Sequence, residues 1–175
     1  MSLLKKLFGG KEQQSVNLKS SGEQFVDLGK SKDQRIAVDG VYLLEVPNSW
    51  SHFDSDRFRM KTADESVQFS ATNYAKDGAR LPTINDLKGM YLPLFDKFVN
   101  EGGFISNNNL EIGKDFVYQS FKVDDETQHY YYTARARNNR EAILVAFVLR
   151  EQGECKTSTT KLLKNIGANI MMKVG

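Results

Sequence analysis

The chain is poor in the residue types that most often signal chemistry. Among its 175 residues it has one cysteine, Cys155, and two histidines, His52 and His129. A single cysteine excludes an intrachain disulfide and favours a reducing compartment. Two isolated histidines and one cysteine, without close spacing, fall short of the three or four ligands that a zinc site needs. We therefore expect no metal site and no cofactor.

The sequence also lacks catalytic motifs. It contains no glycine-rich phosphate loop, no nucleophile elbow and no helix with paired carboxylates. A nucleophilic role for Cys155 would need a histidine base, and a lone cysteine before a helix is more often a small packing residue. We expect no catalytic residue. The chain is more readily interpreted as a non-enzyme, although these patterns leave an enzyme open.

Strong charge of either sign and long apolar runs are lacking as well. The formal net charge is +2, which does not provide the concentrated basic face of a nucleic-acid-binding domain. No stretch approaches the roughly 20 apolar residues of a membrane span. The first ten residues, MSLLKKLFGG, lack the longer apolar region of a secretory signal. These features predict a cytoplasmic protein that binds no nucleic acid and does not span a membrane, and the lack of a catalytic site favours another protein as its partner.

The start of the chain nevertheless has a short amphipathic pattern. Residues 1–8 place leucine and phenylalanine on one helical face, beside two lysines. This pattern is typical of a helix that contacts a membrane surface or a partner weakly, or of a frayed start that rests on its own domain. Residues 1–34 are mostly polar and are interpreted as an N-terminal segment and linker. Residues 35–175 are interpreted as a single domain.

Apolar spacing predicts the strands of that domain. Asp39-Gly40 is a favoured hairpin dipeptide, and the strand that follows ends at Pro47, which cannot continue a central ladder. Trp50 comes next and is expected to cover the end of the core. Further strands are predicted at residues 58–62, 67–74, 116–123, 129–137 and 142–149. The last of these is continuously apolar, which is typical of a central strand that is covered on both faces.

One long helix is predicted in the middle of the chain. Thr83 and Asp86 form a pair similar to a capping box at its start, and apolar residues then recur at helical spacing. Gly102-Gly103 is expected to end it. Pro93 lies inside this helix and is expected to kink or split it.

A second helix is predicted over residues 156–173, with Thr157 or Ser158 as its cap. Strands and helices are therefore segregated along the chain. This order favours an α+β fold, an antiparallel β-sheet with a long central helix and a C-terminal helix packed on it.

This element order, together with the segment VPNSW, resembles the PsbP-like fold. In that segment a strand ends at Val46-Pro47 and Trp50 follows. The fold is shared by a photosystem oxygen-evolving subunit, a yeast Ran-binding import factor and several bacterial families of unknown function. The resemblance covers about residues 35–173. It implies the α+β arrangement and a habit of binding other proteins without catalysis, and the chain looks most like the bacterial cytoplasmic members.

Two groups of residues are candidates for a binding surface. The loop after Trp50 places His52, Phe53 and Arg57 together at a strand end, where aromatic rings lie beside polar groups. We interpret Trp50 itself as structural.

The second group lies on the strand HYYYTARAR, residues 129–137. Alternation along a strand places Tyr131, Arg135 and Arg137 on one face, which we predict to be exposed. Tyrosine and arginine are the residue types that anchor protein interfaces. The same pattern also fits a face that helices cover, or arginines that protect an edge strand.

These observations predict a non-catalytic protein-binding or adaptor module. The alternative is a small-molecule-binding protein, or an enzyme of unfamiliar type, with a pocket between the sheet and the long helix.

Overall fold

The computed structural model describes residues 25–26, 33–54, 56–77 and 80–173 and forms two antiparallel sheets and two helices. The helices are α1 (Ile84–Gly102) and α2 (Thr157–Ala168). In chain order, the strands are β1 (Phe25–Val26), β2 (Asp33–Val38), β3 (Tyr42–Pro47), β4 (Ser51–His52), β5 (Arg59–Lys61), β6 (Val67–Asp77), β7 (Ile105–Ser106), β8 (Glu111–Ile112), β9 (Phe116–Val123), β10 (Glu126–Asn138), β11 (Glu141–Gln152) and β12 (Met171–Met172). The predicted α+β class is confirmed, whereas the amphipathic pattern of residues 1–8 lies outside the described residues.

The smaller sheet has the strand order β1-β2-β3-β12. Asp39 and Gly40 join β2 to β3 with φ angles of 50° and 68°, and the Val41 N–H donates to the Val38 carbonyl at 2.9 Å. Positive φ at both central residues is the geometry of a tight hairpin turn. The turn that the sequence predicts at Asp39-Gly40 is therefore confirmed.

The larger sheet has the strand order β4-β5-β6-β11-β10-β9-β7, and β8 also pairs with β9. Strand β11 lies near its middle, between β6 and β10. All six residues from Ala142 to Phe147 are buried. This confirms that the apolar run 142–149 lies in a central strand covered on both faces.

Each face of the larger sheet has its own core. On one face, α1 packs Tyr91 and Phe95 against Phe121 and Tyr132 of the sheet. On the other face, the smaller sheet and α2 form the second core, which includes Leu163 of α2. The molecule therefore has three layers, and the larger sheet is the middle layer.

Helix α1 begins with the predicted cap. The Thr83 hydroxyl accepts a hydrogen bond from the Asp86 N–H at 3.2 Å, and the Asp86 carboxylate accepts from the Thr83 N–H at 2.7 Å. These reciprocal bonds satisfy two N–H groups that have no partner within the helix. Gly103 ends the helix with φ of 68°. The expected split at Pro93 does not occur, because the helix continues through this residue.

The prediction for α2 was right to within one residue at its start but wrong in its cap and in its end. The helix stops at Ala168, and the chain then forms β12, which pairs with β3. Its N-cap residue is Lys156, whose side chain makes no capping bond. Neither Thr157 nor Ser158 is the cap. The apolar residues after 168 follow the helical spacing, but they contribute to a sheet edge because tertiary pairing overrides local propensity.

Trp50 is buried, with 5% of its surface exposed, and its ring centroid lies 5.5 Å from that of Phe69. Its predicted place at the end of the core is confirmed.

Within the described residues, neither helix is both long and apolar enough to cross a bilayer.

Candidate functional site

The predicted loop group lies at the β4 end of the larger sheet. His52, Phe53 and Arg57 are all exposed. The His52 ring makes an edge contact with Phe58 at 6.0 Å between centroids, and the Lys61 ammonium lies 5.3 Å from the centroid of the Phe53 ring. This group therefore presents an aromatic and a cationic surface, and its role in binding stays a prediction.

The predicted exposure of Tyr131 was wrong. Its side chain is 1% exposed and stacks between Phe116 and Phe147, with centroid distances of 4.9 and 5.7 Å. Helix α2 covers it so closely that a Cβ on Gly167 would lie 2.3 Å from the Tyr131 ring. Tyr131 therefore cannot be an exposed anchor, since α2 covers this face of β10.

Arg135 and Arg137 belong to this part of the fold, and both are half-buried. Arg135 pairs with Asp115 at 2.9 Å and donates to the Gly167 carbonyl at 3.2 Å. Arg137 lies 3.4 Å from Glu141. Both guanidinium groups therefore bind the protein itself, and the predicted surface of three neighbouring side chains does not form.

An open groove lies instead between α1 and the outer strands of the larger sheet, with a volume of about 470 Å³. Leu92 and Val99 line it on the helix, seven residues and about two turns apart. Leu110 and Ile112 line the opposite wall. The other lining residues are Phe95 of the core and the polar residues Lys88, Asp96, Asn100, Ser106, Asn109 and Gln119.

Exposed aliphatic side chains are concentrated at this groove. Leu92, Val99 and Ile112 are 36%, 40% and 45% exposed, and they are three of the six large hydrophobic side chains that are exposed in the described part of the chain. Exposed apolar groups that cluster around a concavity mark interaction sites, whereas scattered ones need no explanation.

The strand wall of the groove is held by hydrogen bonds to β9. The Asn108 carboxamide oxygen accepts from the Ser120 N–H at 2.9 Å and from the Ser120 hydroxyl at 3.0 Å. These bonds fix the loop between β7 and β8 against the sheet. Contacts within the protein therefore hold the strand wall of the groove in place.

Gln119 places a polar group at the base of the groove. Its side chain is only 7% exposed, and its amide nitrogen donates to the Ser106 hydroxyl at 3.2 Å and to the Asn108 carbonyl at 2.9 Å. Both bonds use the nitrogen, so the amide oxygen has no donor among the described residues. This oxygen is available to accept a hydrogen bond from a bound group.

A buried chain of polar side chains lies on the other face of the larger sheet, beneath the start of α2. His129 on β10 and Glu151 on β11 have fully buried side chains, and His129 Nε2 lies 2.8 Å from Glu151 Oε1. The Glu151 carboxylate also accepts from the Lys156 N–H at 2.9 Å and from the Thr159 hydroxyl at 2.7 Å. Glu151 thus binds the N-cap N–H and one hydroxyl of the first turn of α2 from the end of β11.

The other nitrogen of His129 continues this chain. His129 Nδ1 lies 2.8 Å from the Tyr118 hydroxyl, which lies 3.1 Å from the Thr160 hydroxyl. A carboxylate only accepts, so Nε2 carries the proton and Nδ1 accepts from Tyr118. Burial lowers the pKa of His129 and outweighs the neighbouring Glu151, which raises it. The imidazole is therefore neutral at pH 7.

Cys155 lies beside this chain at the surface. Its sulfur is 3.8 Å from the hydroxyl oxygens of Ser120 and Thr160. One nitrogen of His129, one carboxylate oxygen of Glu151 and the sulfur all lie within 4.8 Å of one another. The structure therefore brings together three ligand types that are dispersed along the sequence.

No protein-family model matches the chain, and neither does any curated protein.

The alternative prediction from the sequence placed a pocket between the sheet and the long helix, where the groove lies, but it identified none of the lining residues. Sequence reasoning missed the cluster of His129, Glu151 and Cys155 altogether. The sequence feature that could have indicated the groove is the apolar residue Leu92. It follows buried Tyr91, but it does not occupy one of the core positions of the helical pattern. Val99 does fit that pattern, and it is nevertheless exposed. The cluster of His129, Glu151 and Cys155 had no local signal, because the pairing of β10 with β11 creates it.

Proposed function

We propose that the protein is a non-catalytic binding module that holds an amphipathic helical segment of a partner protein in the groove beside α1. The clustering of Leu92, Val99 and Ile112 around this groove carries the proposal. A partner helix that places aliphatic side chains between these walls would cover all three. Recognition of this kind uses anchors one or two turns apart on the bound helix.

The dimensions of the groove support this occupant. Its lining residues on α1 run from Lys88 to Asn100, which corresponds to about 18 Å of helix. A partner helix of about 12 residues has the same length. The Gln119 oxygen would accept a hydrogen bond from one donor side chain in that segment, which adds specificity to recognition.

The test compares capture of partners by groove variants and by a matched control. Leu92→Asp and Val99→Asp place a charge in the groove at exposed positions, so both variants should fold. Ile105→Asp is the control. Ile105 is 64% exposed and precedes Ser106, which lines the groove, so its side chain points to the opposite face of the strand.

A partner supports the proposal only if both groove variants lose it and Ile105→Asp retains it. With that partner purified, calorimetry should show binding weakened by at least about 2 kcal/mol, or roughly 30-fold, in each groove variant. Equal capture by wild-type protein and groove variants would refute the proposal.

The volume of the groove favours one second candidate, a small-molecule-binding protein. About 470 Å³ lies within the range of roughly 300–1,000 Å³ that ligand pockets occupy. A library of small molecules should then shift the amide NMR signals of groove residues, and Leu92→Asp should abolish these shifts. Such shifts without capture of any protein would favour this candidate over the first.

We also propose a PsbP-like arrangement for the described domain and a cytoplasmic location. The element order supports the PsbP-like arrangement, and so does the strand that ends at Pro47 before buried Trp50. The single free thiol of Cys155 supports the cytoplasmic location, since reducing compartments keep thiols free.

A further inference from the structure

We propose that His129, Glu151 and Cys155 form a binding site for a divalent transition-metal cation, and that Zn²⁺ is the ion they fit best. Their ligand atoms lie within 4.8 Å of one another. The site lies beneath the start of α2, on the face of the larger sheet that is opposite the groove. It is therefore independent of the binding function proposed above.

The donor set matches the chemistry of zinc. Imidazole nitrogen, carboxylate oxygen and thiolate sulfur are the three donor types that proteins offer to this ion. The Glu151 carboxylate and a Cys155 thiolate carry two negative charges, which balance the charge of the cation. Three protein ligands leave a fourth position for water, as in catalytic zinc sites.

Small movements bring the three atoms to bonding distance. Zinc bonds of about 2.0–2.3 Å place tetrahedral donors roughly 3.3–3.8 Å apart. The His129 nitrogen and the Glu151 oxygen are 2.8 Å apart and would separate slightly. The sulfur would approach by about 1 Å relative to the 4.8 Å limit of the cluster. Cys155 is exposed and lies in the segment before α2.

The neighbouring residues can redistribute the protons. Binding through Nε2 moves the imidazole proton to Nδ1, and the Nδ1–H then donates a hydrogen bond to the Tyr118 oxygen, while the Tyr118 hydroxyl donates to Thr160. The Cys155 thiol releases its proton to water, so one proton leaves for each ion bound. Histidines that bind metals usually donate their other ring N–H to such a partner, which fixes the orientation of the ring.

A purely structural network accounts for the hydrogen bonds of His129 and Glu151 and gives the sulfur only its long contacts of 3.8 Å to Ser120 and Thr160. The two interpretations therefore differ in what they predict for Cys155. A structural network is unaffected when its thiol is replaced, whereas the metal site loses a ligand.

The test uses the full-length, reduced protein titrated with Co²⁺ as a spectroscopic substitute for Zn²⁺. We expect a near-ultraviolet thiolate-to-cobalt charge-transfer band that one equivalent of Zn²⁺ removes, and a melting temperature that rises with Zn²⁺. Cys155→Ser should abolish the band and the thermal shift. Glu151→Gln should weaken Zn²⁺ binding at least about 10-fold, a loss that even neighbours of the ligands cause.

His52→Gln is the control, because His52 is the only other histidine and lies outside the cluster. It should bind both ions as wild type does. If Glu151→Gln fails to fold, Cys155→Ser still tests the proposal, because position 155 is exposed and its replacement should leave the fold intact. Circular dichroism of each variant checks the fold. Folded wild-type protein without a cobalt band, or Zn²⁺ affinity unchanged by Cys155→Ser, would overturn the proposal.

Discussion

Tyr131 illustrates how single residues set the spacing between layers. Its ring lies between Phe116 and Phe147 and directly beneath Gly167 of α2. The absence of a side chain at Gly167 is what allows the helix to approach the sheet. The same contact buries the tyrosine that the sequence predicted at the surface.

We predict that Gly167→Ala destabilises the protein although alanine is the better helix former. The new methyl group would lie 2.3 Å from the Tyr131 ring, which is itself packed on both sides, so α2 must shift outward. Overpacking of this kind costs about 1–3 kcal/mol. Urea denaturation measures the change in the free energy of unfolding.

Gly89→Ala is the matched control for this variant. A Cβ at Gly89 meets no atom within 4 Å, and the residue lies within α1. Relief of the glycine penalty should stabilise the protein by about 0.5–1 kcal/mol. Two glycine-to-alanine changes within helices should therefore have opposite signs, and equal effects would contradict the close approach of α2.

A second prediction at this scale concerns Trp50→Ala. The ring contacts Phe69 at 5.5 Å, and the residue is 5% exposed. Its removal should lower the free energy of unfolding by about 3–5 kcal/mol, because the core cannot collapse fully into the space. Exposed His52, two residues on, provides the comparison, and His52→Ala should change stability by less than about 0.5 kcal/mol. A melting temperature unchanged by Trp50→Ala would show that this ring lies at the surface and not in the core.

At the scale of elements, the two helices begin in different ways. Helix α1 has a local capping box from Thr83 and Asp86. Helix α2 has no capping bond from its own N-cap side chain, and its start is bound by the Glu151 carboxylate, which lies on the neighbouring strand β11. Local sequence can therefore specify the start of α1, whereas the start of α2 depends on the formation of the sheet.

We predict that Thr83→Ala lowers the free energy of unfolding by about 1 kcal/mol, the usual cost of losing a threonine cap. Ser158→Ala should change it by less than about 0.5 kcal/mol, because this exposed residue is not the cap of α2. Chemical denaturation of both variants measures the difference. A larger loss at Ser158 than at Thr83 would contradict the observed helix starts.

At the scale of the whole molecule, the two cores bury an unusual group of tyrosines. Burial raises the pKa of Tyr130 to about 12, and it also raises the pKa values of Tyr42 and Tyr132 well above the ordinary tyrosine value. The unfolded chain has the ordinary tyrosine pKa near 10. The folded state therefore keeps these phenols neutral where the unfolded chain releases their protons.

This difference predicts cooperative unfolding in alkali. The stability from neutral buried phenols is complete below pH 10 and is lost as the pH rises from 10 toward and beyond about 12. Tyrosinate absorbance should then rise steeply and together with the loss of circular dichroism. A gradual tyrosine titration beginning near pH 10, with circular dichroism intact, would show that these phenols are accessible.

Much of the fold follows from local patterns. The Asp39-Gly40 turn, the capping box at Thr83 and the central apolar strand 142–149 were each predicted from a few neighbouring residues and found in place. These features depend on backbone φ preferences, on hydrogen bonds within one turn and on alternation along a strand. All three act over short distances, so sequence alone determines them.

Tertiary structure alone decided what covers each face. The alternation of side chains along β10 correctly placed Tyr131 on one face of the sheet and Tyr130 and Tyr132 on the other. It could not show that α2 buries the first face and α1 the second. The groove and the cluster of His129, Glu151 and Cys155 likewise form only when distant segments meet. Periodicity specifies which side chains share a face, whereas long-range packing specifies whether water, a helix or a ligand lies against it.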